Sequence, residues 1–258
     1  MKRVWLGLVC LVVASAGFAA IQSDKVEYKV GSVTLQGMIV RDTSKQGKRP
    51  GVVVFPEWWG VNDYAKRRGA DLAKLGYVAF VADPYGKDKI TTDAKQAGAW
   101  AGELKGDPKV KVARIEAALE ELKKDKDVDP TKVAAIGYCL GGYLALELAR
   151  TGADVKGVVS FHGSLKGATN AEKGKVKAKV LVCHGADDTF ESPEEVEGFK
   201  KEMAAAGISM QFESYPGAVH SFTNPDSAKA GIKGVAYNEA ADKKSWADMQ
   251  KFFAEIFK

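Results

Sequence analysis

The chain has 258 residues, 46% of them apolar and 28% charged, enough to bury a large core; nothing in this composition fits a disordered, collagen-like or coiled-coil chain. Its formal charge of +5 falls to +3 once Lys2 and Arg3 are set aside, and no basic stripe runs along the sequence, which argues against a nucleic-acid partner.

Lys2 and Arg3 precede an uncharged run from Val4 to Val13 and then small residues, Ala14, Ser15, Ala16, Gly17, Ala19 and Ala20. A short basic region, an apolar stretch and a small-residue cleavage site predict a secretory signal peptide over residues 1–20. The alternative is a membrane anchor, but the run is at the low end of spanning length. A lipoprotein signal would need a cysteine directly after the small residues, and Cys10 lies inside the apolar run. The expectation is a periplasmic or secreted protein of one domain, residues 21–258, with no stable membrane association after signal removal.

Beyond this segment, apolar runs alternate with longer helical patterns, as in an α/β domain with a mainly parallel sheet. The predicted strands are Val26–Val30, Val33–Val40, Gly51–Phe55, Tyr77–Ala82, Lys132–Ile136, Val155–Phe161, Lys179–Cys183 and Ser209–Tyr215. Predicted helices cover Asp63–Leu75, Lys95–Lys124, Leu140–Arg150, Pro193–Ala206 and Asp242–Phe257. All-apolar strand centres such as Val52, Val53 and Val54 suit a sheet covered on both faces. Within the second helical stretch, Val112, Ile115, Leu119 and Leu122 form one stripe, the pattern of a surface helix packed on the sheet.

The strongest chemical signal is Gly137-Tyr138-Cys139-Leu140-Gly141-Gly142, between a predicted strand and a predicted helix. It is the nucleophile-elbow pattern with cysteine in the usual serine position. A sharp strand-to-helix turn strains its central residue and leaves no room for side chains two positions either way, hence the glycines. At a helix N-terminus the free amides and the macrodipole favour negative charge on the sulfur. Read blandly, the same residues make an ordinary turn around a small buried cysteine.

In this kind of fold an acid and then a histidine follow the nucleophile. The strand Lys179–Cys183 runs into His184-Gly185-Ala186-Asp187-Asp188, which puts a carboxylate at the carboxyl edge of the sheet. Asp188 is preferred to Asp187 because two residues usually separate the glycine from the acid. After the last predicted strand comes Pro216-Gly217-Ala218-Val219-His220-Ser221-Phe222, with a loop histidine suited to serve as general base. The two other histidines have lesser expectations: His162 lines the pocket and His184 orders its own turn. Cys183 reads as a buried strand residue; Cys183 and His184 lack the separated ligands of a zinc site.

Together these segments, with Pro56-Glu57-Trp58-Trp59-Gly60-Val61-Asn62, resemble the dienelactone hydrolase family over essentially the whole mature chain. The resemblance implies an α/β-hydrolase fold, a mainly parallel eight-stranded sheet with helices on both faces. It implies a hydrolase that opens an ester or lactone through Cys139, Asp188 and His220 by way of a thioester, with neither metal nor organic cofactor. By the same resemblance, Glu57 contacts the resting thiol and helps convert it to thiolate, and the backbone amides of Trp58 and Leu140 hold the oxyanion. One departure bears on substrate: family members that act on dienelactone carry a carboxylate-binding arginine four residues after the histidine, and here that position is Asn224. A different class of reading remains, a non-catalytic binding or redox-sensing module that uses Cys139 as an oxidisable thiol.

Overall fold

The computed structural model describes residues 20–168 and 170–258, so the expected signal peptide, apart from Ala20, lies outside the described residues. The central strand β3 (Arg49–Phe55) shows how the sheet is built. Successive side chains of a strand point to opposite faces. Val53 and Phe55 accordingly enter one apolar cluster while Val52 and Val54 enter the other. A sheet whose alternate residues are apolar on both sides needs helices on both sides, and it has them.

The other strands are β1 (Ile21–Val30), β2 (Val33–Asp42), β4 (Val78–Val81), β5 (Val128–Tyr138), β6 (Gly157–Phe161), β7 (Lys179–Gly185) and β8 (Met210–Tyr215). They form one eight-stranded sheet in the order β1-β2-β4-β3-β5-β6-β7-β8. β2 pairs antiparallel with β1 and β4, and every other neighbouring pair is parallel. The helices are α1 (Asp63–Lys74), α2 (Ala94–Gly106), α3 (Pro108–Lys124), α4 (Leu140–Thr151), α5 (Pro193–Ala205) and α6 (Glu239–Ile256). Leu104, Ile115, Leu144 and Phe199, from α2 to α5, pack in one cluster, whereas Leu72 of α1 and Phe252 of α6 pack in the other.

Three boundaries differ most from expectation. The stretch Lys95–Lys124 is two helices, not one, because Pro108 disfavours helical geometry at Asp107, whose side chain instead accepts from Val110 N at 3.0 Å and starts α3. β1 begins at Ile21, since its polar first half pairs with β2 out to Ile21–Asp42. β5 starts at Val128, beyond an irregularity between Pro50 and Gly51 on its partner β3. The stripe expected on α3 is buried at Ile115, Leu119 and Leu122, and Lys111 is buried with it. Its ammonium lies 2.5 Å from Glu147 Oε2 and 2.5 Å from the Tyr143 hydroxyl, tying α3 to α4. No helix among the described residues is long and apolar enough to cross a membrane.

Candidate active site

β3 and β5 are parallel neighbours, yet the chain leaves β3 toward β4 on one side and returns to β5 on the other. That reversal opens a crevice beyond their carboxyl ends, where open α/β sheets bind ligands. Glu57 and Trp58 follow β3, Cys139 follows β5, Asp188 follows β7 and His220 follows β8, so four separate connections converge on one edge.

Cys139 sits at φ 53°, ψ −115°, a region that L residues rarely occupy, and it precedes α4 without capping it through its side chain. The glycines around it are forced. A Cβ on Gly137 would lie 1.9 Å from the Gly141 carbonyl oxygen, and one on Gly141 would lie 2.0 Å from the Phe55 carbonyl oxygen. The turn therefore packs backbone against backbone, and the sulfur is left projecting into the crevice.

His220 is buried, and its Nδ1 is 2.9 Å from Asp188 Oδ2. Asp188 also accepts from Phe190 N at 2.9 Å, and Asp187 points to solvent. Asp187 N donates to Ala218 O at 2.9 Å, and a Cβ on Gly185 would approach that same oxygen to 2.5 Å, so the acid turn and the histidine loop lie against each other. Burial opposes a charge on His220. The neighbouring Cys139 and the hydrogen-bonded, charged Asp188 outweigh it and hold the imidazole well above its usual value.

Leu140 N opens α4, where the first amides have no partner within the helix. The Trp58 carbonyl, one peptide beyond its amide, accepts from the Tyr85 hydroxyl at 3.0 Å. The sulfur, His220, Trp58 and Leu140 border a cavity of about 200 Å³ with Trp59, Phe190, Ile232 and Val235 among its apolar walls and Lys105 as its cation. Phe190 packs on the His220 ring with centroids 4.7 Å apart. Among the described residues no group of three His, Cys, Asp or Glu gathers as metal ligands would.

The model of the dienelactone hydrolase family matches residues 35–257. The chain belongs to the dienelactone hydrolase family. A solved structure titled as a dienelactone hydrolase-like promiscuous phosphotriesterase from metagenomic libraries is 40% identical, with a TM-score of 0.90, and the alignment covers 93% of this chain and all of that one. A relative from Aquifex aeolicus, named as a carboxymethylenebutenolidase, is 29% identical over 204 residues, 77% of this chain and 86% of its own. An uncharacterized protein of Caenorhabditis elegans is 38% identical over 146 residues, 56% of this chain and 92% of its own. The chain is thus a hydrolase of this family with the α/β-hydrolase fold.

Glu57 borders the same cavity as Cys139, and its oxygens accept from Ser221 Oγ at 2.8 Å and Asn224 Nδ2 at 2.7 Å. Both donors belong to the loop that carries His220, and Asn224 stands where the resemblance would put a carboxylate-binding arginine. Burial raises the Glu57 carboxyl above its usual value, with the Ser221 and Asn224 hydrogen bonds and the charges of His220 and Arg68 opposing. His162 does not border the cavity; it is buried behind the elbow. The His184 ring packs against Phe212, 5.6 Å between centroids. Cys183 is a buried free thiol beneath the Tyr215 hydroxyl, and Cys139 is free as well. The sequence assigns no role to Ser221, although it lies in the histidine segment, or to Tyr85, because their partners Glu57 and Trp58 come near only in the folded chain.

Proposed function

We propose that this hydrolase cleaves a small ester or lactone through Cys139 as nucleophile, with His220 as acid and base and Asp188 as its orienting partner. The observation that carries the reading is the imidazole of His220, hydrogen-bonded to Asp188 at 2.9 Å, bordering the same cavity as the Cys139 elbow. A sulfur anion beside an imidazolium is an activated nucleophile.

The thiolate attacks the carbonyl carbon, and the pair of electrons displaced onto oxygen is met by the amides of Trp58 and Leu140, each worth about 3 kcal/mol when charge develops there. Collapse expels the alkoxide, which takes the proton from His220, and leaves a thioester. His220 then removes a proton from water, the hydroxide adds to the thioester, and the departing thiolate restores the pair. Glu57, engaged by Ser221 and Asn224, braces the histidine loop.

The small, mainly apolar cavity fits compact acyl and aryl groups. The carboxymethylenebutenolidase name of the Aquifex aeolicus relative supports a lactone, and the 40% identical phosphotriesterase adds phosphotriesters to the panel. Export is part of the proposal, resting on Lys2, Arg3 and the apolar run that follows them.

Purified protein assayed against short 4-nitrophenyl esters, butenolides and a 4-nitrophenyl phosphotriester tests the reading. Cys139→Ala is expected to abolish ester turnover with the fold retained. Undiminished turnover in that variant removes the thiol mechanism, and a wild-type protein that binds these compounds without turning them over favours the sensing module.

A further inference from the structure

Outside the catalytic cavity, one buried titratable group stands out because both of its ring nitrogens are used. His162 follows β6 at φ 40°, a left-handed backbone that only a few residue types adopt readily, and it is 1% exposed. Its Nδ1 lies 3.1 Å from the amide of Cys139, which donates to it and also to Phe161 O at 3.0 Å. Its Nε2 lies 2.7 Å from Thr223 Oγ1. Because Nδ1 accepts, the ring proton resides on Nε2, which donates to Thr223.

The two partners sit on the two segments whose separation matters most. Cys139 is the strained elbow, and Thr223 is three residues beyond His220. Thr223 is itself held from outside: its hydroxyl is 2.5 Å from the Tyr64 hydroxyl and its carbonyl accepts from Arg68 at 2.8 Å. The His162 and His220 rings meet edge to face, 5.3 Å between centroids.

We infer that His162 is a positioning residue: its neutral ring links the Cys139 amide to the Thr223 hydroxyl and so fixes the nucleophile elbow against the loop that carries His220. Burial, reinforced by the neighbouring charge of His220, pushes His162 well below its usual value, in keeping with a ring that must accept at one nitrogen and donate at the other. A doubly protonated ring would turn a donor toward the Cys139 amide and break the link.

The inference rests on Cys139 as nucleophile, so its test includes a control for that reading. His162→Phe keeps a ring but neither hydrogen bond. His162→Asn tolerates the backbone angle and keeps an acceptor for the Cys139 amide. Thr223→Val removes the far end of the link. With a short 4-nitrophenyl ester, His162→Phe is expected to lose about 10²-fold in kcat, the size of effect that a misplacement of roughly 1 Å produces. KM is expected to be unchanged, His162→Asn to recover most of the loss, and Thr223→Val to fall between. A substrate-independent readout is alkylation of Cys139 by iodoacetamide at pH 7 followed by mass spectrometry, expected to slow in His162→Phe, with buried Cys183 as the unreactive reference.

Full kcat in His162→Phe overturns the inference, as does a His162→Asn variant that falls equally far, or a loss confined to KM. If His162→Phe does not fold, wild-type kcat and alkylation in Thr223→Val overturn it instead. Turnover by Cys139→Ala would sink the nucleophile reading itself, whereas a silent Cys139→Ala beside a fully active His162→Phe sinks only the positioning role.

Discussion

Gly137→Ala tests how strictly the elbow geometry governs the chemistry. The new methyl would stand 1.9 Å from the Gly141 carbonyl oxygen, 2.1 Å from its carbonyl carbon and 2.7 Å from Gly142 N, all of them backbone atoms. Actual Cβ atoms essentially never come within 3.0 Å of such neighbours, so the first turn of α4 must withdraw by roughly 1 Å. Overpacking of this kind costs about 1–3 kcal/mol. For a chain of this size that lowers Tm by roughly 2–10 °C. The displaced turn carries Cys139 and the Leu140 amide, and a 1 Å error at a reacting atom costs about 10²-fold in rate. Hydrolysis of 4-nitrophenyl acetate gives kcat and KM, and a thermal scan gives Tm. The expected outcome is a folded protein with kcat down by two orders of magnitude. Wild-type kcat and Tm in this variant refute the argument that backbone crowding aims the sulfur.

Asp188→Asn places an amide donor 2.9 Å from His220 Nδ1, which forces the ring proton to the nitrogen facing the thiol. By analogy with serine triads kcat/KM falls about 10³- to 10⁴-fold, and a loss of less than tenfold would show that Asp188 does not set the tautomer. Glu57→Gln probes the buried carboxyl. A carboxyl raised in the folded state holds its proton to higher pH than the unfolded chain does, so it lowers stability as pH climbs from about 4.3 through the raised value. The variant is therefore expected to gain Tm over wild type at pH 8 and to match it at pH 4, and a Tm deficit at pH 8 refutes the assigned sign. Expression in a host with a periplasm is expected to yield a chain starting near Ile21 in the periplasmic fraction, and an uncleaved cytoplasmic chain contradicts export.

The order of the sheet's ingredients was legible because local rules carry it. Alternating apolar runs and helical stripes fix which residues must be covered on both faces, and Gly137, Gly141 and Gly142 mark a turn in which side chains cannot fit. The helix break at Asp107-Pro108 was readable by the same local chemistry, although the charge-rich pattern on either side masked it. The start of β1 was less so, since Gln22, Ser23 and Asp24 have no apolar signal and are ordered by pairing with β2.

By itself, then, the sequence determined the fold class, the elbow and the candidate nucleophile, acid and base, because these depend on periodicity, glycine crowding and residue order. Tertiary structure alone decided that Glu57 is held by Ser221 and Asn224, that Lys111 is buried against Glu147, and that His162 lies behind the elbow and reaches Thr223. These contacts join residues from 36 positions apart, Lys111 and Glu147, to 167 apart, Glu57 and Asn224. No local propensity encodes a hydrogen bond between segments that meet only after the sheet has formed. The desolvation that fixes each group's charge likewise exists only once the core has closed around it.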